Sequence, residues 1–461
     1  MSTTHSSDYD STCPSSDLCQ HTNRFLPQVI IVGGGPAGCA TALSIARRTP
    51  EGSVRILIID DADPSAYKIG ESLPAAARRS LFMLDPSLLP RLTEDTSRGL
   101  HDVCTGNASA WASTDLHETY SLMNPYGAGW HLDRARFDDM LRQTCGSMLW
   151  RGKVVGVRRA DGGGVEGSPV FGWDIDAKPA GTSSMKTFRT RWLVDATGRK
   201  ASVAQKIGAK MRKHSDLLAF YVVFDRIDPD SDRADDNDTR TLIEAAPSGW
   251  WYSARLPHGK RLVMYTTSPW DATARVARTA AGFLDMLQSD TVHISRSLCG
   301  ASLRNDPAAE PLEEMPLYEM PPGTKFTRCT TAASSILDPY ASWEPQGKSG
   351  GGSGLEDDHQ GRGWCAVGDA ALAFDPLSSQ GIITALNAGA FLGSVLARHL
   401  HPSAAQSPHL EGSEAVREIQ QAYERVREKY GEGRAYYYRI VRRFEDPQTH
   451  EGVAGFWKAQ S

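Results

Sequence analysis

Apolar positions follow two rhythms along the chain. Val29-Ile30-Ile31-Val32 is an unbroken β-branched run, the pattern of a strand buried on both faces. A glycine-rich loop follows, and residues 39–48, with small side chains early, read as a helix. Residues 54–60 repeat the buried-strand pattern, so this stretch predicts a βαβ unit. Helical spacing recurs at 75–84 and 134–145. Residues 153–159, 171–177 and 188–194 alternate like strands of a small meander. Four runs at 217–224, 241–245, 250–256 and 261–267, joined by short turns, predict an antiparallel sheet. Residues 279–288 read as a helix, 364–367 as a strand and 382–400 as an apolar helix. Residues 414–442 carry Arg and Glu at helical spacing and predict a solvated amphipathic cap.

The polar stretches punctuate this pattern. Residues 1–20 are rich in Ser, Thr and Asp and read as a disordered tail. Residues 228–238 read as an acidic, solvated loop, and the Gly-rich 348–358 as a flexible surface insertion.

With 461 residues the chain is too long for one small core, and several packed domains are expected. The formal net charge of -5 argues against a nucleic-acid binder, which is normally basic. The 8 cysteines are scattered, with no CxxC pair and no zinc-ligand spacing, so no metal site is expected. They suggest a reducing, cytoplasmic setting, with Cys39 and Cys365 as packing residues. No secretory or transit signal is read at the N-terminus, and no apolar run reaches membrane-spanning length.

Four motifs carry chemistry. In Gly33-x-Gly35-x-x-Gly38, Gly33 permits a tight turn, Gly35 lets backbone approach a pyrophosphate and Gly38 allows close helix–strand packing. Pro36 and Ala37 open the helix, whose free N–H groups and positive dipole end face the phosphates. Asp60, about 20 residues further on at the end of the second strand, is placed to bind ribose hydroxyls, with Asp61 as a substitute. Gly368-Asp369 ends another strand and suits a polyol such as a flavin ribityl chain. Asp375-Pro376-Leu377-Ser378-Ser379-Gln380-Gly381-Ile382 leads into a helix whose N-terminus would stabilise the negative edge of a reduced flavin. The fourth, Asp195-Ala196-Thr197-Gly198-Arg199, ends a strand and would approach the nucleotide through backbone.

Together, in this order, the motifs resemble the FAD-dependent monooxygenases of the para-hydroxybenzoate hydroxylase and tryptophan halogenase superfamily, over most of residues 27–400. Lys68-Ile69-Gly70-Glu71-Ser72-Leu73-Pro74 and Gly129-Trp130-His131-Leu132-Asp133-Arg134-Ala135-Arg136-Phe137-Asp138 resemble the halogenase branch. Two departures speak against halogenation. Trp250-Trp251-Tyr252-Ser253-Ala254-Arg255-Leu256-Pro257 stands where halogenases carry Trp-x-Trp-x-Ile-Pro, and no lysine falls between Pro74 and Lys153 to relay hypohalous acid. Gly106-Asn107-Ala108-Ser109-Ala110-Trp111, Gly249–Ala254 and the tail from Arg434 to Trp457 resemble the LodB-like flavoproteins of tryptophylquinone-cofactor biogenesis.

The resemblance implies an α/β fold: a Rossmann-like FAD-binding domain of GR2 type, an antiparallel-sheet substrate domain and a C-terminal helical region. The expected division is a tail at 1–26, an FAD-binding domain from 27–104, 126–200 and 325–410, a substrate sheet domain from 105–125 and 201–324, and a helical cap at 411–461. It implies FAD held by Gly33, Gly35, Pro36, Ala37, Gly38, Asp60, Arg134, Gly198, Gly368, Asp369, Pro376, Gly381 and Ile382. The implied activity is hydroxylation of an electron-rich indole or phenol through a flavin C4a-hydroperoxide, in natural-product biosynthesis or protein tryptophan modification. Partners would be O2, a small aromatic substrate or a tryptophan-bearing protein, with NAD(P)H or a separate flavin reductase as electron source. No second strand, glycine-loop and helix unit for a nicotinamide cofactor is read. Candidate catalytic residues are Glu71, His131 and Trp251; Trp111, Trp250, Tyr252 and Arg255 complete a candidate substrate face, although aromatics on a sheet more often pack a core. Lys68 is read as a solvated lysine. The alternatives are a flavin-dependent halogenase, a geranylgeranyl-reductase-type flavin reductase and a non-catalytic flavoprotein partner.

Overall fold

The computed structural model describes residues 27–160, 171–227, 236–299, 316–345, 361–401, 410–444 and 455–460. The N-terminal stretch 1–20 and the Gly-rich 348–358 lie outside them.

The unbroken apolar run Val29–Val32 forms the centre of an eight-stranded sheet, which explains why it has no polar alternation. Ile56–Asp60 pairs with it in parallel on one side and Trp192–Asp195 on the other. Gly361–Ala366 continues the parallel set beside Trp192–Asp195. Leu149–Ala160 joins Ile56–Asp60 in parallel and then turns back antiparallel through Gly172–Pro179 and Lys186–Thr190. Ala341–Pro345 closes the other edge.

The stretch 188–194, expected as one meander strand, is two. Lys186–Thr190 stays in the meander, and the chain breaks at Arg191. Trp192–Asp195 crosses to the sheet centre, where all four residues are buried. The alternation of the edge strand cannot continue into a position covered on both faces.

Helix Pro36–Arg48 lies against Gly381–Leu400 over much of its length. The approach requires glycine: a Cβ on Gly389 would come within 2.5 Å of the Ala37 carbonyl oxygen. Gly381–Leu400 has the length and hydropathy to cross a membrane. Its contact with Pro36–Arg48 and the complete burial of Leu386, Leu392 and Val395 place one face of this helix in the core.

A second eight-stranded sheet contains Leu218–Arg226, Lys260–Thr267, Gly249–Leu256 and Thr241–Ala246, adjacent in that spatial order and antiparallel. One pairing departs from the expected pattern: Gly106–Ala110 joins Thr241–Ala246 in parallel. The strand period of two sorts the side chains. Phe220, Trp251, Val263 and Tyr265 point to a core shared with Phe283 and Leu287 of helix Ala280–Asp290. Ala219, Tyr252, Leu262 and Met264 point the other way, toward a cleft against the first sheet.

The acidic loop ends differently from its reading. Residues 228–235 lie outside the described set, but Asp236 is buried, paired with Arg261 and accepting from the Tyr318 hydroxyl at 2.7 Å. Asp238 pairs with Arg240 at 2.7 Å. Two inward-facing arginines take up these carboxylates, so this end of the loop is not solvated.

Helix Gly412–Arg439 is more than a solvated cap: Ile419, Tyr423 and Tyr438 are buried. The short helix Gly455–Gln460 sets Phe456 and Trp457 against Tyr438 and Trp111.

Candidate active site

A cleft of about 920 Å³ runs between the two large sheets, at the upper end of the common range for ligand sites. One end is built by the Gly33–Gly38 loop. Gly33 has φ +112, and a Cβ there would lie 2.3 Å from the Ala196 carbonyl oxygen. A Cβ on Gly38 would meet the Gly33 carbonyl oxygen at 2.0 Å, which is the close helix–strand contact that position was read to serve. Gly35 has nothing within 4 Å of a built Cβ, so its backbone faces open space. Pro36 sits in the first turn of the helix, leaving the neighbouring N–H groups free for an anion.

Asp60 lines this end, but its carboxylate is already engaged. Oδ1 accepts from the Gly34 N–H at 3.0 Å, and Oδ2 from Arg142 Nε at 3.0 Å and Arg151 Nη1 at 3.2 Å. Asp60 therefore fixes the glycine loop and holds two arginines, besides any ribose it meets. Arg142 was not singled out in the sequence, where it looks like an ordinary helix arginine; its side chain is 2 % exposed and its two Nη groups are buried without hydrogen-bond partners. Asp61 lines the cleft too.

Behind the cleft wall, Asp195 folds the segment after its strand. Its Oδ1 accepts from Thr197 N–H and Oγ1–H, and its Oδ2 from Val203 and Ala204 N–H at 2.9 and 2.7 Å. This brings Gly198 and Arg199 to the cleft wall. Arg199 donates to the Ala333 and Phe374 carbonyls, both at 2.6 Å, and its Nε lies 3.3 Å from Asp369 Oδ2. The Asp369 side chain is 40 % exposed to the open cleft, yet sits deep enough that burial raises its pKa, against the lowering pull of Arg199 and Arg134. Gly368 (φ +63) packs onto Ala37.

Arg134 donates to the Gly70 carbonyl at 2.7 Å and pairs with buried Asp138. Lys68 lies 2.9 Å from the same Asp138, so it is an ion-pair partner and not the solvated lysine of the sequence reading. The buried carboxylate draws both cations to the rim of the cleft.

At the far end, Asp375 caps the turn Pro376–Ser378, accepting from Leu377 N–H at 3.3 Å. Gly381 opens a 20-residue helix, and Ile382 follows in its first turn; both line the cleft. Arg434 Nε meets Asp375 Oδ2 at 3.0 Å, and the Asp375 N–H donates to the Tyr430 hydroxyl at 2.9 Å. Neither Arg434 nor Tyr430 was assigned to this site from sequence; both come from the long C-terminal helix, and no local pattern marks which of its polar residues turn inward.

The candidate catalytic residues separate. Glu71 reaches the cleft: it is 2 % exposed and accepts from the Tyr67 hydroxyl at 2.7 Å. Burial raises its pKa, opposed by Tyr67 and Arg134. Tyr252 also lines the cleft, its hydroxyl 2.8 Å from Ser72 Oγ. His131 and Trp251 are not brought there. His131 is fully buried, its Nε2 3.0 Å from Thr241 Oγ1, and burial aided by Arg261 and Arg255 pushes its pKa down to about 3. Trp251 lies on the opposite face of its strand, packed on Tyr265 and Phe283. Trp111 and Trp250 join Tyr438 and Trp457 in an aromatic core, and Arg255 pairs with Asp102 at 2.9 Å.

The residues present fit FAD. The same cleft is lined by a glycine cradle with open space at Gly35, a partly exposed carboxyl group at Asp369 and the N-terminus of a 20-residue helix. The site and fold are those of an FAD-dependent oxidoreductase.

Comparison with known proteins agrees. The tryptophan halogenase family model matches residues 28–87. The chain is 26% identical over 360 residues to the FAD-dependent oxidoreductase LodB of Marinomonas mediterranea, covering 77% of this chain and 80% of that protein. It is 24% identical over 389 residues to a flavin-dependent halogenase of Armillaria mellea, covering 78% of this chain but only 63% of that longer protein. The fold is similar to that of QhpG, a peptidyl tryptophan dihydroxylase essential for tryptophylquinone cofactor biogenesis, with a TM-score of 0.59 and 19% identity over 95% of this chain and 79% of that one. The chain is thus similar in sequence and fold to flavin-dependent halogenase-like monooxygenases, the proteins its motifs resemble.

Proposed function

We propose that the protein hydroxylates an electron-rich aromatic ring, an indole or a phenol, using FAD and O2. One observation carries the reading. The cleft that carries the glycine cradle is also lined by the apolar Ala219, Leu262 and Met264 of the second sheet, with Tyr252 and Glu71 among its polar groups. An apolar slot with a few placed polar groups holds and orients a flat aromatic substrate. Reduced FAD, when bound, supplies the electrons that activate O2. Gly33–Gly38, Arg134, Gly198, Asp369, Pro376, Gly381 and Ile382 hold that cofactor, and Asp60 fixes the loop around its nucleotide end. The apolar side chains of Ala219, Leu262 and Met264 exclude water. Glu71 and Tyr252 orient the ring, and the Glu71 carboxylate takes up its released proton. The likeness to QhpG and LodB makes a protein-borne tryptophan a substrate class to test beside small indoles and phenols.

Halogenation is the second reading, favoured by the match to the Armillaria halogenase. The lysine nearest Glu71 in sequence, Lys68, is held on Asp138, and residues 75–152 contain no lysine.

Mass spectrometry of reactions with indoles, phenols and tryptophan-bearing peptides, with and without bromide, separates the readings. A gain of one oxygen is expected; a bromine isotope pattern would replace hydroxylation with halogenation. Bleaching of the flavin bands by NADH or NADPH alone would identify the direct electron donor, and its absence would point to a separate reductase.

A further inference from the structure

The Glu71 carboxyl is closed off from water on the protein side, yet one phenol reaches it. Its backbone carbonyl accepts from Leu132 N–H at 2.9 Å, at the start of the short strand Ser72–Leu73, which pairs with Gly129–Leu132. That pairing fixes the residue, and the side chain is left facing the cleft. Tyr67, four residues earlier, donates its hydroxyl to Glu71 Oε1 at 2.7 Å; burial and Glu71 raise the pKa of that hydroxyl, while the residue as a whole stays 41% exposed. Its ring is held in place by two strands of the second sheet. Tyr221 lies 6.3 Å away between ring centroids, and the Arg328 guanidinium sits 5.4 Å over the ring. Tyr221 and Arg328 are themselves register partners.

We propose that Tyr67 is the positioning residue for Glu71, fixing its carboxyl by a hydrogen bond and carrying protons between it and solvent. The inference rests on the reading that Glu71 takes up the proton released in the cleft. The transfer is a proton relay with no redox change. A proton leaving the substrate bonds to a Glu71 oxygen. The Tyr67 hydroxyl then rotates so that its proton faces water and its oxygen accepts from the protonated carboxyl. The carboxyl gives its proton to the Tyr67 oxygen as the hydroxyl proton passes to water, and the proton received lies on the starting hydrogen bond to Glu71.

The electrostatics fit this arrangement. Burial raises the pKa of Glu71, so the group takes up a proton more readily than an exposed carboxylate. Tyr67 and Arg134 oppose that rise and keep the group able to release it again. The other titratable groups facing the pair are Tyr221 and Tyr252, whose phenols burial holds neutral.

The test uses the full chain loaded with FAD. The infrared band of the protonated Glu71 carboxyl, identified by its loss in Glu71→Gln, is titrated in the parent and in Tyr67→Phe. Removing a hydrogen bond that stabilises the charged form should move the midpoint up by about 1 pH unit or more. The pH profile of turnover should move the same way. If Tyr67→Phe does not fold, 3-fluorotyrosine at position 67 keeps the shape and strengthens the donor, and the midpoint should fall. A midpoint unmoved by either change overturns the link. A moved midpoint with no aromatic compound hydroxylated supports the link and overturns only the reading of the substrate. Glu71→Gln turning over with an unchanged pH profile overturns the role of Glu71, and the relay with it.

Discussion

Arg434 reaches from the C-terminal helix to place its Nε 3.0 Å from Asp375 Oδ2, tying a late segment of the chain to the loop that starts the cleft's second helix. The Asp375 side chain is 2% exposed and that of Arg434 16%. Burial raises the Asp375 pKa, and Arg434 opposes it.

Arg434→Ala should therefore loosen the Asp375–Gly381 turn. Removing one partner of a buried pair costs roughly 3–5 kcal/mol when the other charge stays stranded. Asp375 can escape part of that cost by taking up a proton, so a loss of about 2–3 kcal/mol is expected. Thermal unfolding reads the loss, and fluorescence titration with FAD should show affinity falling about tenfold or more. Unchanged melting and affinity together would remove Arg434 from the site.

Asp60 separates a structural from a ligand role. Asp60→Ala strips an acceptor from the Gly34 N–H and leaves Arg142, 2% exposed, without its partner. A stability loss of roughly 3–5 kcal/mol is expected. Asp60→Asn keeps an oxygen for the Gly34 N–H and should cost less. If Asp60 also meets the ribose, the Asn variant will still bind FAD more weakly; equal affinity would confine Asp60 to holding the loop.

Neighbouring residues on one strand should respond in opposite ways. Trp251→Ala empties a core site against Tyr265 and Phe283 and should cost roughly 3–5 kcal/mol. Tyr252→Phe removes the hydroxyl with its contacts to Ser72 and Thr241 and should cost about 1 kcal/mol while lowering turnover. Calorimetry and product formation, measured on both variants, check this. Normal turnover in Tyr252→Phe would take its hydroxyl out of the proposed mechanism.

The glycine-loop end of the cleft was legible because a single local pattern carries it. Strand, glycine loop, helix and acid-ended strand are contiguous from Val29 to Asp60, and each piece appears where its spacing puts it. Residues that arrive from far along the chain were not legible. Arg434 and Tyr430 lie in a helix whose charged pattern suits solvent equally well, and only tertiary packing decides which of them turn inward. The aromatic run Trp250-Trp251-Tyr252 pointed to the right strand but not to its facing. The strand period puts Trp251 on the other side from its neighbours, and the C-terminal aromatics cover Trp250, leaving Tyr252 to the cleft. His131 sits beside the same motif as Glu71 but faces Thr241, a partner from another strand.

His131 and His101 set an acid limit to stability. Burial pushes them down to about 3 and about 4, and His101 Nδ1 accepts from the Asp133 N–H, which fixes its neutral form. Both pKa values are lower in the folded chain than the ordinary value of about 6.5. The unfolded chain therefore binds more protons below that pH, and stability falls as the pH drops from about 6.5 toward 4. Each histidine contributes a slope of up to about 1.4 kcal/mol per pH unit in that window. Glu71, Asp369 and Asp375 have raised values and act in the opposite sense: their contribution is present at low pH and is lost as pH rises through their folded values. The net slope should thus be shallower than the two histidines alone would give. His131→Asn removes one proton-binding site from the unfolded chain, so its melting temperature, measured from pH 7 down to 5, should fall less steeply than the parent's. Parallel curves would mean that His131 does not enter the folded state neutral.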